Sequence, residues 1–195
     1  MTRLYAPSSK IYFVGVGDGG IRALDCLITE GMKPAQCIAV NTNKEALSLC
    51  KSEHHLLIAE NTTHRRSGLG LPEFGRQAAI ESKSIIYDAL YPAQAVYIVS
   101  CMGGGIGTGA TPVIAQIARE AKVKAIIAVV SRPFSFAGRQ QIADHGIEVL
   151  KPEVDILIDV DFDQMRYIPL ENMESQQWYT LAVNALAWRV LLDMM

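Results

Sequence analysis

The stretch "SCMGGGIGTGATP" at residues 100–112 contains five glycines among its thirteen residues. It follows the apolar run "AVYIVS" (95–100) and leads into a segment with helical periodicity at 111–121. Because glycine loses more backbone freedom on folding than any other residue, glycine at this density needs a specific reason. The approach of a phosphate to backbone amides at a helix N-terminus is such a reason, because those amides favour an anion.

The rest of the chain alternates continuous apolar runs with segments of helical periodicity. Continuous apolar strands separated by helices are typical of a parallel sheet that is covered on both faces. With right-handed crossovers, this pattern predicts a doubly wound α/β fold with a mostly parallel six-stranded sheet and a C-terminal helix. The predicted strands are 11–16, 37–41, 55–59, 95–100, 124–130 and 155–160. The predicted helices are 20–30, 44–51, 72–90, 111–121, 136–150 and a last one from 173 onward.

A second glycine-rich loop, "GVGDGG" (15–20), ends the first predicted strand. In a doubly wound sheet of order 3-2-1-4-5-6, the first and fourth strands are neighbours at the switch point, where ligands bind at the carboxyl ends of the strands. Both glycine loops would then face one crevice. The alternative is that they are two tight turns without a ligand.

The composition excludes several classes of protein. The chain has 195 residues and a formal net charge of −2, without the basic excess of a nucleic-acid-binding protein. It contains no apolar run of the roughly 18 residues that a membrane span needs, and residues 1–10 are too short and polar for a signal peptide. The four cysteines form no C-x-x-C pair, so we expect reduced thiols and a cytoplasmic location, with Cys101 the most reactive.

The glycines match the common nucleotide-binding motifs only in part. Gly15, Gly17 and Gly20 satisfy the dinucleotide fingerprint G-x-G-x-x-G, but residues 41–43 ("NTN") offer no acidic residue for a ribose. A Walker loop would require a lysine after the glycines, and none is there. We therefore expect neutral amides and the hydroxyl of Thr108 to hold phosphates, together with Mg²⁺.

The segment "CMGGGIGTGATP" (101–112) resembles the tubulin/FtsZ signature G-G-G-T-G-T-G followed by A-x-P. Segments 39–47, 72–79, 132–138 and 145–158 are also similar to FtsZ. The resemblance implies an N-terminal extension at 1–10, a nucleotide-binding domain at 11–172 and, at 173–195, the start of the helix that joins a second domain. We expect that second domain to be absent from this chain.

The resemblance implies GTP or GDP as the ligand. The glycine loops would hold the phosphates, Pro133 and Asp163 would flank the ribose, and Tyr179 would stack on the base near Asn184. No catalytic residue and no set of metal ligands is expected. The expected nucleotide contacts are Gly17, Asp18, Gly19, Gly20, Arg22, Gly103, Gly104, Gly105, Ile106, Gly107, Thr108, Gly109, Pro133, Arg139, Asp163, Tyr179 and Asn184.

Several of these positions depart from the family pattern. Asp18 replaces a glycine, and its charge would repel phosphates if the side chain points inward. Arg22 stands where the family has a guanine-contacting asparagine, and arginine can only donate hydrogen bonds. Ile106 replaces a threonine, and Ala137 replaces a ribose-binding glutamate. Arg139 is a candidate for the arginine that the family places beside the phosphates.

The resemblance also implies possible partners. FtsZ hydrolyses GTP when an acidic loop of the next subunit's second domain, N-x-D-F-A-D, reaches the terminal phosphate. This chain lacks that loop, so we expect hydrolysis to be very weak or absent. Self-association or binding to another FtsZ-like protein is compatible with the resemblance. Two alternatives are a degenerate FtsZ-like interaction protein that has lost its nucleotide, and a dinucleotide-dependent oxidoreductase domain.

Overall fold

The structure, a computed structural model, describes residues 11–59, 70–91, 93–167 and 175–194, without the side chains of 165–167, 175–176 and 178–179. Its six strands pair in the order β3-β2-β1-β4-β5-β6, and every pair is parallel. The predicted sheet and its order are thereby confirmed. The strands are β1 (Ile11–Val16), β2 (Cys37–Asn41), β3 (His54–Leu57), β4 (Ala95–Cys101), β5 (Ala125–Arg132) and β6 (Ile156–Asp161).

Seven α-helices connect and cover these strands in the part of the chain that the structure describes. They are α1 (Gly17–Thr29), α2 (Lys44–Ser48), α3 (Pro72–Glu81), α4 (Lys83–Leu90), α5 (Gly105–Glu120), α6 (Gln140–Leu150) and α7 (Ser175–Asp193). The helix predicted at 72–90 is divided at Ser82, whose backbone (φ −98°, ψ 15°) departs from helical values. The side chain of Ser82 accepts a hydrogen bond from the N–H of Ala59 at 2.8 Å, which ties this break to the end of the β3 segment.

The two glycine-rich loops are largely the first turns of helices. Helix α1 begins at Gly17 and α5 at Gly105, whereas the pattern predicted starts at 20 and 111. Glycine has a poor intrinsic helix propensity, which hid these first turns from the sequence pattern. The predicted start of α6 at 136 is also wrong, because Gly138 adopts a left-handed conformation (φ 67°) between a 3₁₀ turn at Ser135–Ala137 and the helix.

Apolar side chains from both faces of the sheet form two core layers. Along β1, Tyr12, Val14 and Val16 belong to one layer and Phe13 to the other, as the alternation of a strand requires. The first layer is closed by α3, α4, α5 and α6, and the second by α1 and α7. Helices on both faces are the arrangement of a doubly wound domain.

The strand register brings the carboxyl ends of three strands to one edge. Val16 of β1 lies beside Ser100 of β4, and Cys101 of β4 lies beside Ser131 of β5. The segments that follow these strands therefore begin next to one another, as predicted for a switch point. Among the helices within the described ranges, none is long and apolar enough to cross a membrane.

Candidate functional site

A cavity of about 390 Å³ opens at this edge of the sheet. It is bounded by the first turns of α1 and α5 and by the segment between β5 and α6. Both glycine loops line it, as the sequence predicted. The predicted contact residues found in its lining are Gly17, Asp18, Gly19, Gly104, Gly105, Ile106, Gly107, Pro133 and Arg139.

The two helices that begin at the cavity have no side-chain cap. Val16, which precedes α1, has an apolar side chain and Gly104, which precedes α5, has none, so neither residue can cap the first turn through a side chain. Helix α2 is capped by Asn43, which accepts hydrogen bonds from two backbone amides, whereas α3, α4 and α6 also begin without a side-chain cap. The first N–H groups of a helix lack partners within the helix, and they carry a partial positive charge. The cavity is therefore suited to an anion.

Gly104 is a glycine that the protein's own packing does not explain. Its backbone (φ −98°, ψ 163°) is accessible to any residue. A Cβ atom added there would meet no protein atom within 4 Å, and the residue lines the cavity. A ligand held against the backbone at this position would account for the missing side chain.

Three other glycines of the signature, Gly103, Gly107 and Gly109, have reasons within the fold for lacking a side chain. Gly103 has a positive φ of 91°, which turns the chain from β4 towards α5. A Cβ atom on Gly107 would lie 2.5 Å from the carbonyl oxygen of Cys101, and one on Gly109 would overlap the carbonyl oxygen of Pro72. Similarly, a Cβ atom on Gly20 would overlap the carbonyl oxygen of Val99. Gly20, Gly103 and Gly109 lie outside the cavity lining.

The hydroxyl of Thr108 has a partner within the protein. It is buried, with 3% exposure, and lies outside the cavity lining. Its Oγ1 accepts a hydrogen bond from the backbone N–H of Gly103 at 2.8 Å. The hydroxyl therefore fastens the turn that precedes α5, and a direct contact between Thr108 and a phosphate stays a prediction.

Asp163, Arg22 and Asn184 were also predicted to contact the nucleotide, and none of them is among the described lining residues. Both carboxylate oxygens of Asp163 accept hydrogen bonds from the backbone N–H of Ser135, at 3.1 and 3.2 Å, which orders the turn beside the cavity. Arg22 is exposed on α1 and Asn184 is half-buried on α7, and neither is a lining residue. The side chain of Tyr179 lies outside the described residues, so its stacking on a base stays a prediction.

Two charged side chains are among the described residues of the lining, Asp18 and Arg139. Asp18 Oδ1 accepts a hydrogen bond from Asn41 Nδ2 at 2.7 Å. Arg139 is exposed and directly precedes α6. Arg132, nearby in sequence, pairs with Asp144 and Asp159. Arg139 is thus the lining residue that can bring a positive charge to an anion.

Sequence reasoning missed Ser131 and a group of aromatic residues. Ser131 is fully buried and lines the cavity, and its Oγ has no hydrogen-bond partner in the described part of the molecule. Buried hydroxyls are nearly always paired, so this one is available to a ligand or a water. Phe134 stacks on Phe136 with ring centroids 5.1 Å apart, and both line the cavity with Phe162. The sequence signal that could have identified Ser131 is its position as a polar residue near the end of an apolar strand.

Comparison with known proteins agrees with this geometry. A model of the Tubulin/FtsZ family, GTPase domain, matches residues 10–169. An empty FtsZ dimer from M. jannaschii matches with a TM-score of 0.86 and 31% identity, over 94% of this chain and 54% of that chain. The GTPγS-bound protofilament of CetZ2 from Haloferax volcanii matches with a TM-score of 0.80 and 22% identity, over 93% and 57% of the two chains. The GDP-bound CetZ1 monomer from the same organism has a TM-score of 0.80 and 22% identity, over 93% and 59%. The likeness to the CetZ proteins concerns the fold alone, and this chain spans little more than half the length of these structures.

Proposed function

This chain belongs to the Tubulin/FtsZ family, and from that premise we propose that it binds GTP or GDP in the cavity between the first turns of α1 and α5. The observation that carries the proposal is Gly104, whose added Cβ atom would enter open space in a cavity between two uncapped helix N-termini. Such N-termini bind phosphates through their backbone amides.

The expected placement of the nucleotide follows from the lining. The phosphates would lie against the amides of residues 104–107, with Arg139 as the cation. Pro133 and the turn held by Asp163 would flank the ribose, and Tyr179 would stack on the base. Mg²⁺, which we expect with the nucleotide, binds carboxylate and phosphate oxygens, and Asp18 is the carboxylate that the described lining offers.

A role in the cytoskeleton or in cell division, in the cytoplasm, accompanies this proposal. One of the similar structures is a nucleotide-bound protofilament and another is a dimer. We therefore propose that the protein associates with itself or with another FtsZ-like protein. Sedimentation and light scattering of the full chain with GTP and Mg²⁺ would test for assembly separately from nucleotide binding.

Titration calorimetry with GDP, GTP, ATP and NAD in the presence of Mg²⁺ tests the proposal. We expect binding of both guanine nucleotides and much weaker binding of ATP and NAD. An extract of the purified protein, made under denaturing conditions, should contain GDP or GTP. If no guanine nucleotide binds at millimolar concentration, the proposal is wrong. That result would favour an interaction protein, for which the fixed carboxylate of Asp18 in the cavity is a supporting observation.

A thiol in the cavity lining offers a test of where the nucleotide binds. Cys101 is half-buried and lines the cavity. In the other three cysteines, Cys26, Cys37 and Cys50, burial raises the pKa of the thiol, and it raises the pKa of Cys37 to about 12. We expect GDP with Mg²⁺ to slow the alkylation of Cys101 several-fold and to leave the rate at Cys26 unchanged, as measured by peptide mass spectrometry. Equal slowing at both thiols, or at neither, would place the nucleotide elsewhere.

A further inference from the structure

The carboxylate of Asp18 lies in the first turn of α1, where an anion would otherwise meet the positive end of the helix. The side chain is exposed to solvent and lines the cavity. Its Oδ1 accepts a hydrogen bond of 2.7 Å from Asn41 Nδ2, so the carboxylate is held at a defined place.

The amide of Asn41 is itself fixed. Asn41 has 1% exposure, and its Oδ1 accepts hydrogen bonds from the backbone N–H groups of Thr42 at 2.8 Å and Asn43 at 3.2 Å. With its oxygen turned to these donors, its Nδ2 points to Asp18. The interaction joins the start of α1 to the end of β2, and it keeps the negative charge of Asp18 at the cavity.

This charge acts on any phosphate that enters. Two unit charges about 4 to 8 Å apart at an effective dielectric constant of about 20 repel each other enough to weaken binding by about 30- to 1000-fold. Arg139, the cation of the described lining, opposes one negative charge, whereas a nucleoside diphosphate or triphosphate carries more. A divalent cation would remove the remaining repulsion, because Mg²⁺ binds carboxylate and phosphate oxygens together.

We propose that Asp18 makes nucleotide binding depend on a divalent cation: the cavity rejects the bare polyphosphate and accepts the Mg²⁺ complex. The inference rests on the proposed function. Asp18 then determines whether the bare nucleotide or its Mg²⁺ complex is bound. Asn41 acts as a positioning residue, because it holds the carboxylate and does not itself need to touch the ligand.

The test is titration calorimetry of GDP against the full chain, with EDTA and with Mg²⁺, for wild type, Asp18→Asn and Glu45→Gln. The asparagine keeps the size of the side chain and an acceptor for Asn41, and it removes the charge. Glu45 is an exposed residue of α2 outside the cavity lining, so its variant loses the same charge away from the site. We expect Asp18→Asn to bind GDP in EDTA at least about tenfold more tightly than wild type. The gain in affinity on adding Mg²⁺ should be at least about tenfold larger for wild type than for Asp18→Asn, and Glu45→Gln should behave as wild type.

Equal affinities of wild type and Asp18→Asn in EDTA, with equal gains from Mg²⁺, would overturn this inference and leave the proposed function standing. Failure of both proteins to bind GDP under either condition would overturn the proposed function, and the inference with it. Thermal unfolding would verify that the variants are folded. If Asp18→Asn did not fold, Asp18→Gly, which removes the charge at the same surface position, would be measured against the same two expectations.

Discussion

Replacing Gly104 by valine will leave the fold intact and lower the affinity for GDP by at least about a hundredfold, which corresponds to about 2.7 kcal/mol. The backbone at Gly104 lies in the extended region that valine prefers. The added methyl groups would extend from a Cβ atom that meets no protein atom within 4 Å. They would occupy the part of the cavity that we propose for a phosphate, at the start of α5. Calorimetry with GDP and Mg²⁺ measures the affinity.

Gly104→Ala provides a graded control, since it adds a single methyl group at the same place. We expect its affinity to lie between those of wild type and Gly104→Val. Urea unfolding of both variants should give midpoints close to that of wild type, because the added Cβ atom meets no protein atom within 4 Å. Full affinity in a folded Gly104→Val protein would contradict the assignment of this glycine to the nucleotide.

Replacing Gly109 by alanine should have the opposite consequence and destabilise the whole domain by about 3 kcal/mol or more. Gly109 lies in α5 against the first turn of α3. Its added Cβ atom would overlap the carbonyl oxygen of Pro72 and lie 2.7 Å from the backbone N of Arg76. Both are backbone atoms of a helix, so the overlap could be relieved only if α3 and α5 moved apart. The higher helix propensity of alanine, about 1 kcal/mol, offsets only part of this.

The free energy of unfolding of Gly109→Ala, measured with urea in the absence of nucleotide, checks this prediction. The comparison with Gly104→Ala is direct, because both variants add one methyl group within the same glycine-rich signature. We expect a large loss of stability at 109 and almost none at 104. A midpoint for Gly109→Ala equal to that of wild type would show that α3 and α5 are not packed as closely as described.

Much of this fold could be predicted because its signals are local. The run at 95–99 is continuously hydrophobic, as expected for a strand of a parallel sheet that is covered on both faces. The place of the cavity followed from topology, because strands that run in parallel end at the same edge. Element boundaries were less predictable. The turn at Gly138 and the break at Ser82 depend on backbone conformations that the helical periodicity did not reveal.

The amino-acid sequence by itself determined the strands, their parallel arrangement and the edge where the two glycine loops meet, since each depends on residue type and order along the chain. Only the tertiary structure decided what each residue does there. Gly104 faces open space and Gly109 faces the backbone of α3, although both are glycines of one motif. The hydroxyl of Thr108 bonds to its own loop, and the charge of Asp18 is held by an amide from β2. These roles depend on distances between segments remote in sequence, and folding alone sets those distances.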